Sequence, residues 1–528
     1  MALSENSVLT RVSGAVAGQY SRFGDRLSNM KHPLLSVLIL GLLIRVILIP
    51  FSFNADFQYW GLISDIIDND LGLYDARGYY YSPVWGYVLA ASGAIGKMFG
   101  ITDYGALIDQ FVPYVSGQYS TFDFVMTPQY SLMVKIPLII TDLIVAVLIH
   151  NFVMMKTNDN VKSVLAAALW LLCPLTILES SVHGMMDNIS ALFLILTFIL
   201  MYKGDHLFAG VAFAFSTMVK IFPICFVFLF VVWIFKSEGF RNGWKKLALA
   251  VAGYSVAFVA INLPSILSGN IWETMRFLTD RLGFSTESIN AVLPLPLLVI
   301  GIVALVVIIA IVCYLLRHRL AEFAHMDSKK RDRIVAKVLI VLTVIGMVAV
   351  IGYSILKSSG GDLLDGLLMK VMVALALVSV ALAIYIAYKF AFSGELKDGA
   401  LFTAFMLTSC FLFIWMPLPQ YPVAVLPLMV LFVILVDKRF VVPYIGFTVF
   451  MFLYQFAMGG VTALYSLASF TDFLDINFVI ALLDAYAYSS LPIQINAIAA
   501  VVCGVLAYIS LIYLPIKWIL INRRGAAE

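Results

Sequence analysis

Charged side chains are scarce in this chain. Lys, Arg, Asp and Glu make up 12% of its 528 residues, while 62% are hydrophobic. An average soluble domain carries about 25% charged residues, so a globular fold of this size could not cover its surface with polar groups. The composition therefore excludes a soluble enzyme, a disordered chain and a nucleic-acid-binding module. It predicts a protein whose apolar stretches span a lipid bilayer.

Cysteine is also rare. The chain has five, each inside an apolar segment, with no CxxC pair and no Cys/His cluster. This pattern is typical of small core residues and predicts neither a disulfide nor a metal site. Residues 1–32 are polar and lead directly into a long apolar segment, so no cleavable signal peptide is predicted.

Basic clusters between the apolar segments predict the topology, because Lys and Arg collect on the cytoplasmic side. If every cluster lies inside, residues 80–100 cannot cross fully and must dip in from outside or lie along the surface. Residues 207–236 must then form a short hairpin of two arms, with its tip near Lys220 inside the membrane. The predicted fold class is an all-α polytopic membrane protein with about 14 transmembrane helices and interfacial or re-entrant helices in the long outer loop 51–128.

The same clusters suggest four regions. Residues 1–32 form a cytoplasmic tail, and residues 33–316 form a catalytic transmembrane module. Residues 317–337 form a basic cytoplasmic loop, whose charge we expect to fix the topology. Residues 338–528 form a C-terminal transmembrane module whose role the sequence does not indicate.

Three cations are deeply embedded in apolar segments: Arg45, Lys135 and Lys220. Cations in a bilayer are costly and are usually functional or paired. A cavity lined by such cations and open to the outside would suit the phosphate of a lipid headgroup. The alternative is snorkelling or ion pairing, for instance between Lys135 and Asp142.

Two polar groups are placed at the predicted outer side. Asp56 follows the first span beside aromatic residues, where a partly desolvated carboxylate could act as a general base on a hydroxyl group. The aromatic residues could equally form an interfacial belt. His183, Asp187 and Asn188 start a later span and suggest a sugar or phosphate site. A structural helix cap by Asp187 or Asn188 is the alternative.

Four features together resemble the GT-C superfamily of membrane glycosyltransferases, nearest to the GPI mannosyltransferases that use dolichyl-phosphate mannose. They are Asp56 in the first outer loop, Gly72-Leu73-Tyr74 with Arg77 and Tyr79-Tyr80-Tyr81-Ser82-Pro83, Lys135-Ile136-Pro137 followed by Asp142-Leu143, and Pro174 with His183-Gly184 and Asp187-Asn188, followed by Phe208-Ala209-Gly210 and Lys220-Ile221-Phe222-Pro223. The resemblance covers about residues 40–300; beyond them only Pro419-Gln420-Tyr421 and Pro427 are similar.

The resemblance implies an inverting glycosyltransferase on the non-cytoplasmic face. It would move a hexose, with mannose favoured, from a polyprenyl-phosphate donor to a glycolipid, a lipid-linked oligosaccharide or a protein. In this family the first-loop aspartate activates the acceptor hydroxyl, which assigns that role to Asp56. Some relatives carry Asp-x-Asp, whereas this chain has Asn54-Ala55-Asp56, so neither a metal nor another cofactor is expected.

The remaining candidate residues are expected to bind substrate. Cations would hold the donor phosphate, and polar side chains would contact the sugar or acceptor; the set is Arg77, Lys135, His183, Asp187, Asn188, Lys220, Arg276, Arg281 and Gln420. We expect a multi-pass protein of a prokaryotic plasma membrane or the endoplasmic reticulum, with membrane lipids and no nucleic acid as partners.

Two other functions stay open. Polar residues at broken helices are also expected in a transporter or lipid flippase, although no internal repeat is evident in the sequence. A structural subunit of a membrane complex is the third possibility, and it would not need cations clustered on one side.

Overall fold

Helices dominate the part of the chain that the computed structural model describes. That part comprises residues 30–52, 55–69, 72–75, 79, 81–107, 124–269, 420–436 and 438–459, with scattered residues at 22, 271, 274, 474–475, 478, 498–499, 502–507 and 509–510. The helices are α1 (Pro33–Leu48), α2 (Ala55–Asp68), α3 (Pro83–Met98), α4 (Pro128–Thr157), α5 (Asn160–Leu171), α6 (Pro174–Ile177), α7 (Asp187–Lys203), α8 (His206–Val219), α9 (Val227–Leu267), α10 (Leu426–Leu435) and α11 (Val441–Gly459).

Shorter elements connect these helices. Strands β1 (Gly105–Leu107) and β2 (Phe124–Met126) pair antiparallel, with Gly105 opposite Met126. Tight 3-10 turns lie at Leu73–Asp75, Phe222–Phe226, Tyr421–Val425 and Lys438–Phe440, and a π-helix lies at Leu178–His183. The helical prediction is confirmed, and the two-stranded ribbon corrects its all-α description in the outer loop.

Several helices are suited to a bilayer. Within the described residues, three are long and apolar enough to cross one, at Pro128–Thr157, Arg241–Leu267 and Lys438–Phe456. A fourth span is possible where Asn160–Leu171 and Pro174–His183 meet at a 50° bend. This pattern is that of a helical membrane protein. The total of about 14 spans stays a prediction, since residues 281–419 lie outside the described part.

The short hairpin has the predicted form. Helix α8 contains 14 residues and ends at Val219, and Lys220 adopts an extended backbone conformation before the turn at Phe222–Phe226. Helix α9 then returns, and it is broken at Gly239, where φ is 71°. At the base of the hairpin, His206 Nε2 lies 3.8 Å from Glu238 Oε1. The tip of the hairpin is therefore at Lys220.

Helix α3 begins beside the hairpin tip, where the Ser82 hydroxyl bonds to the Met218 carbonyl oxygen. Farther along α3, the Leu89 carbonyl oxygen accepts from the Tyr130 hydroxyl near the start of α4. The helix has 16 residues, about 24 Å. Whether residues 80–100 dip in from the outer side or lie along the surface stays a prediction.

One hydrophobic core joins the predicted N- and C-terminal modules. Buried residues of α4, α5, α7 and α9 pack with those of α10 and α11. The Tyr444 hydroxyl on α11 donates to the Leu169 carbonyl oxygen on α5 at 2.8 Å. Residues 420–459 thus complete the bundle formed by residues 128–267. The division into four regions stays a prediction.

Candidate functional site

A buried arginine ties the first span to the rest of the bundle. Arg45 is fully buried on α1, and its Nε lies 2.8 Å from Asp142 Oδ2 on α4. The guanidinium also donates to Ser180 and Thr176 hydroxyls at 3.2 Å, to the Leu171 carbonyl oxygen at 2.7 Å and to the Gly41 carbonyl oxygen at 3.2 Å. Bonding of this extent makes Arg45 a structural cross-link between helices.

Lys135 caps the end of the first span. Its ammonium donates to the carbonyl oxygens of Ile49 and Phe51 at 2.7 and 2.6 Å and to the Ser52 hydroxyl at 3.2 Å. A lysine has three donors, and these three bonds use them at the C-terminal end of α1, where cations are favourable. The cation beside Asp142 is therefore Arg45 rather than Lys135.

Asn188 closes the network around Asp142. Its amide donates to the Leu138 carbonyl oxygen at 2.7 Å and to Asp142 Oδ1 at 3.3 Å. The Trp170 indole donates to the Asp142 carbonyl oxygen at 3.0 Å. Asn188 thus joins α7 to α4, which is a structural role for part of its side chain.

The π-helix brings Glu179 and His183 together. His183 Nδ1 lies 2.6 Å from Glu179 Oε2, and both side chains are buried. Gln455 on α11 places its amide nitrogen 3.1 Å from the same ring nitrogen. Short π-helical segments are rare and occur frequently at functional sites.

A left-handed glycine ends the π-helix. Gly184 has φ of +65°, and an added Cβ would lie 2.1 Å from Phe57 Cδ2. The Gly184 carbonyl oxygen also accepts from the Trp60 indole at 3.2 Å. Only glycine fits this conformation and this space, so the residue holds α2 against the turn before Asp187.

Asp187 and Lys220 form a buried ion pair at the hairpin tip. Lys220 Nζ lies 3.3 Å from Asp187 Oδ2. The ammonium also lies 5.0 Å from the centre of the Tyr81 ring and 5.5 Å from the centre of the Tyr421 ring. Aromatic rings at these distances attract a cation through cation–π interactions. The tip of the hairpin, α7, the outer loop and residues 420–425 therefore meet at one place.

Apart from Asp187 Oδ2, which is held by the ion pair alone, three buried acceptor atoms near this pair have no hydrogen-bond partner in the described part of the chain. They are Asp187 Oδ1, Asn188 Oδ1 and Glu179 Oε1, and all three residues are fully buried. Native proteins satisfy more than nine in ten buried polar groups. Three such acceptors in one region indicate a site that lacks donors. We call this region, formed by Glu179, Asp187, Asn188 and Lys220, the acceptor cluster.

Of the other predicted site residues, only Gln420 has a described side chain. Gln420 is buried next to Tyr421. The backbone of Asp56 lies in the first turn of α2, and its side chain is outside the described part. Arg77, Arg276 and Arg281 also lie outside the described residues. Among the described residues, no group of three or more His, Cys, Asp or Glu side chains could hold a metal. The individual roles predicted for these residues and the expectation of no cofactor stay predictions.

Several residues of the cluster and its network were not among the predicted site residues: Arg45, Asp142, Glu179 and Gln455. The spacing of Glu179 and His183 by four residues is a signal for a side-chain pair on a helix. No signal in the sequence links Gln455 to His183, which is 272 positions away.

Residues 111–294 match the family model described as GPI transamidase subunit PIG-U. The matched segment is about a third of the chain, and it contains the hairpin and the acceptor cluster. No curated protein matches the chain significantly. A GPI transamidase attaches proteins to GPI anchors and does not transfer hexoses. The prediction of a polyprenyl-phosphate-dependent hexosyltransferase is therefore wrong. What remains of the predicted resemblance is the relation to GPI chemistry and to a membrane enzyme.

Proposed function

We propose that this chain is a membrane-embedded subunit of a complex that attaches proteins to a glycolipid anchor. The match of residues 111–294 to the GPI transamidase subunit family carries the proposal. That segment runs from before β2 to beyond α9, so it includes most of the described helical bundle. The third function that the sequence left open, a subunit of a membrane complex, is the one that this match favours.

The buried charges support a role in assembly and binding rather than in catalysis. Amide exchange needs a nucleophile activated by a neighbouring base. Among the described residues, the free cysteines are Cys173, which is 3% exposed, and Cys503, which is half-buried. His183, the histidine of the predicted site, is occupied by Glu179 and Gln455. We infer that another subunit supplies the nucleophile.

The finer features follow as parts of this proposal. The chain would have about 14 spans and would lie in the endoplasmic reticulum or a prokaryotic plasma membrane. Its partners would be other subunits, a glycolipid and a substrate protein, without nucleic acid. Asp56, Arg77, Arg276, Arg281 and Gln420 remain candidate contacts for the substrates on the non-cytoplasmic side.

The test is a depletion experiment with two readouts. Removing the chain from its host should leave anchor-directed proteins without glycolipid, because the complex would lack a subunit. The pool of lipid-linked sugars should not change. Re-expression of wild type or of Asp159→Asn, a surface variant at the opposite end of the bundle, should restore attachment.

Purification of a tagged chain in mild detergent gives a second measurement. We expect partner subunits in fixed ratio, with an electrophilic probe labelling a partner and not this chain. A chain that purifies alone, together with normal protein attachment after depletion, would contradict the proposal. Loss of a sugar from the lipid-linked pool would contradict it as well.

A further inference from the structure

The acceptor cluster contains three unsatisfied acceptor atoms. Asp187 Oδ1, Asn188 Oδ1 and Glu179 Oε1 can each accept an N–H or O–H, and none of the three has a partner among the described residues. Leaving a buried acceptor unpaired is unfavourable by about the desolvation free energy of the group. A ligand with several donors would remove that penalty at three atoms at once.

Most donors of the nearby cations are used by other acceptors. The guanidinium of Arg45 is bonded to Asp142, Ser180, Thr176 and two carbonyl oxygens. The ammonium of Lys135 is bonded to two carbonyl oxygens and the Ser52 hydroxyl. Lys220 already lies on the other oxygen of Asp187. Because its unpaired atoms are acceptors, the cluster is not a binding site for phosphate alone.

The local fold holds the three acceptors in one region. Asp187 and Asn188 are adjacent in the first turn of α7. The turn at Gly184 folds the π-helix back, since the Met185 N–H donates to the Glu179 carbonyl oxygen at 3.1 Å. Glycine at position 184 makes this turn possible.

The cluster is enclosed: Glu179, Asp187 and Asn188 are fully buried, and the side chains around Lys220 keep only a small exposed fraction. Lys220, Gln420 and Tyr81 keep 5%, 7% and 9% of their exposure. The aromatic rings of Tyr81 and Tyr421 flank the ammonium of Lys220. Aromatic rings beside polar groups are common in the lining of small-molecule sites.

We propose that the acceptor cluster binds a donor-rich lipid headgroup, through its sugar hydroxyls or a primary ammonium. Asp187, Asn188 and Glu179 accept from the headgroup, and Lys220 holds Asp187 in place beside the two tyrosine rings. The proposal rests on the proposed function for the choice of a lipid as the ligand. No covalent step is involved.

The test measures lipid retention on the purified full chain, with whatever subunits accompany it, by native mass spectrometry. The probes are phosphatidylethanolamine, with an ammonium that donates, phosphatidylinositol, with hydroxyls that donate, phosphatidylcholine, with neither, and phosphatidic acid, with phosphate alone. Wild type should retain one or both donor lipids about tenfold better than phosphatidylcholine, as one added charge-assisted hydrogen bond would give.

Substitutions at Asp187 separate the two kinds of donor. Asp187→Leu should abolish the preference. Asp187→Asn keeps an acceptor but loses the charge, so it should keep a preference for hydroxyls and lose one for an ammonium. Asp159→Asn removes a carboxylate outside the cluster and should behave as wild type. If Asp187→Leu does not fold, Glu179→Gln serves instead, since an amide N–H turned toward the headgroup would weaken retention about tenfold.

Two results would overturn the proposal. One is equal retention of all four lipids by wild type, or an unchanged preference in folded Asp187→Leu. The other is a preference for phosphatidic acid that Lys220→Gln removes, which would make the region a phosphate site. The same samples report the accompanying subunits. Selective retention by a chain without partners would keep this site and reject the proposed function, and partners without selectivity would do the reverse.

Discussion

Two buried charged regions meet at Asn188, and they are built differently. Around Arg45, every charged group meets opposite charge or several hydrogen-bonding atoms. Around Asp187, one ion pair at 3.3 Å stands beside three acceptors that no described residue supplies with a donor. Both regions lie among apolar helices, so both faced the same desolvation penalty.

The difference indicates a division of roles. A fully bonded buried charge fixes the arrangement of helices, and its partners are all within the chain. A partly bonded one costs stability that only a ligand or another group can restore. The region around Arg45 is therefore structural, and the acceptor cluster is where binding is to be sought.

Removing Arg45 should have the largest effect. Arg45→Met leaves the Asp142 carboxylate buried without a counter-charge, which costs about 3–5 kcal/mol. We expect poor yield and a strongly lowered unfolding midpoint in detergent. Lys97→Met is the matched control, because the pair of Lys97 with Asp68 is partly exposed and contributes at most about 1 kcal/mol. Equal midpoints for the two variants would contradict a structural role of Arg45.

Replacing Gly184 should have the next largest effect. Gly184→Ala needs a left-handed backbone and meets the Phe57 ring, so we expect a loss of about 2–4 kcal/mol. Gly204→Ala has φ of +80° but nothing within 4 Å of the new Cβ and should cost only about 1–2 kcal/mol. The difference between the two unfolding free energies measures the contact with Phe57, and no difference would mean that Phe57 moves away freely.

Asp187 should matter little for stability. Asp187→Asn removes a buried charge whose Oδ1 has no partner, so the lost ion pair is offset by the lost desolvation penalty. We expect the free energy of unfolding to change by less than about 1 kcal/mol. The measurement is the unfolding midpoint beside that of Arg45→Met. A destabilisation as large as that of Arg45→Met would erase the distinction between the two regions.

The smallest effect is expected at Asp159, which caps α5. The Lys162 backbone N–H donates to its carboxylate at 3.1 Å, and this bond holds the pKa of Asp159 below its usual value. Asp159→Ala should cost about 1 kcal/mol. Because the folded pKa is lowered, this stabilisation is present above about pH 4 and is lost as the pH falls further. Unfolding midpoints at neutral and acid pH check it, and a gap that widens in acid would contradict the cap.

The hairpin was predictable from the sequence because its determinants are local. Basic residues at 203 and 236 require both ends on one side, and the 30 residues between them are too few for two full crossings. The turn of the chain at Lys220 follows from this limit on the length of the two arms. The same limit on length predicts that residues 80–100 dip in from outside or lie along the surface.

The bonding of the embedded cations was not predictable in this way. Asp142 lies seven residues from Lys135, which the sequence offers as a partner, yet its partner is Arg45, 97 positions away. Lys135 bonds mainly to carbonyl oxygens, and any residue supplies those. The hexosyltransferase prediction depended on giving these cations to a phosphate and on motifs shared by resemblance, and the family match overturned it.

The sequence by itself determined the membrane setting, the helical class and the short hairpin, because hydrophobicity and charge act along neighbouring residues and need no knowledge of the packing. Only the tertiary structure decided which buried charges are satisfied. Hydrogen bonds form between atoms that folding brings together from α1, α4, the π-helix and α11. Whether a buried acceptor finds a donor therefore depends on how all of these helices pack.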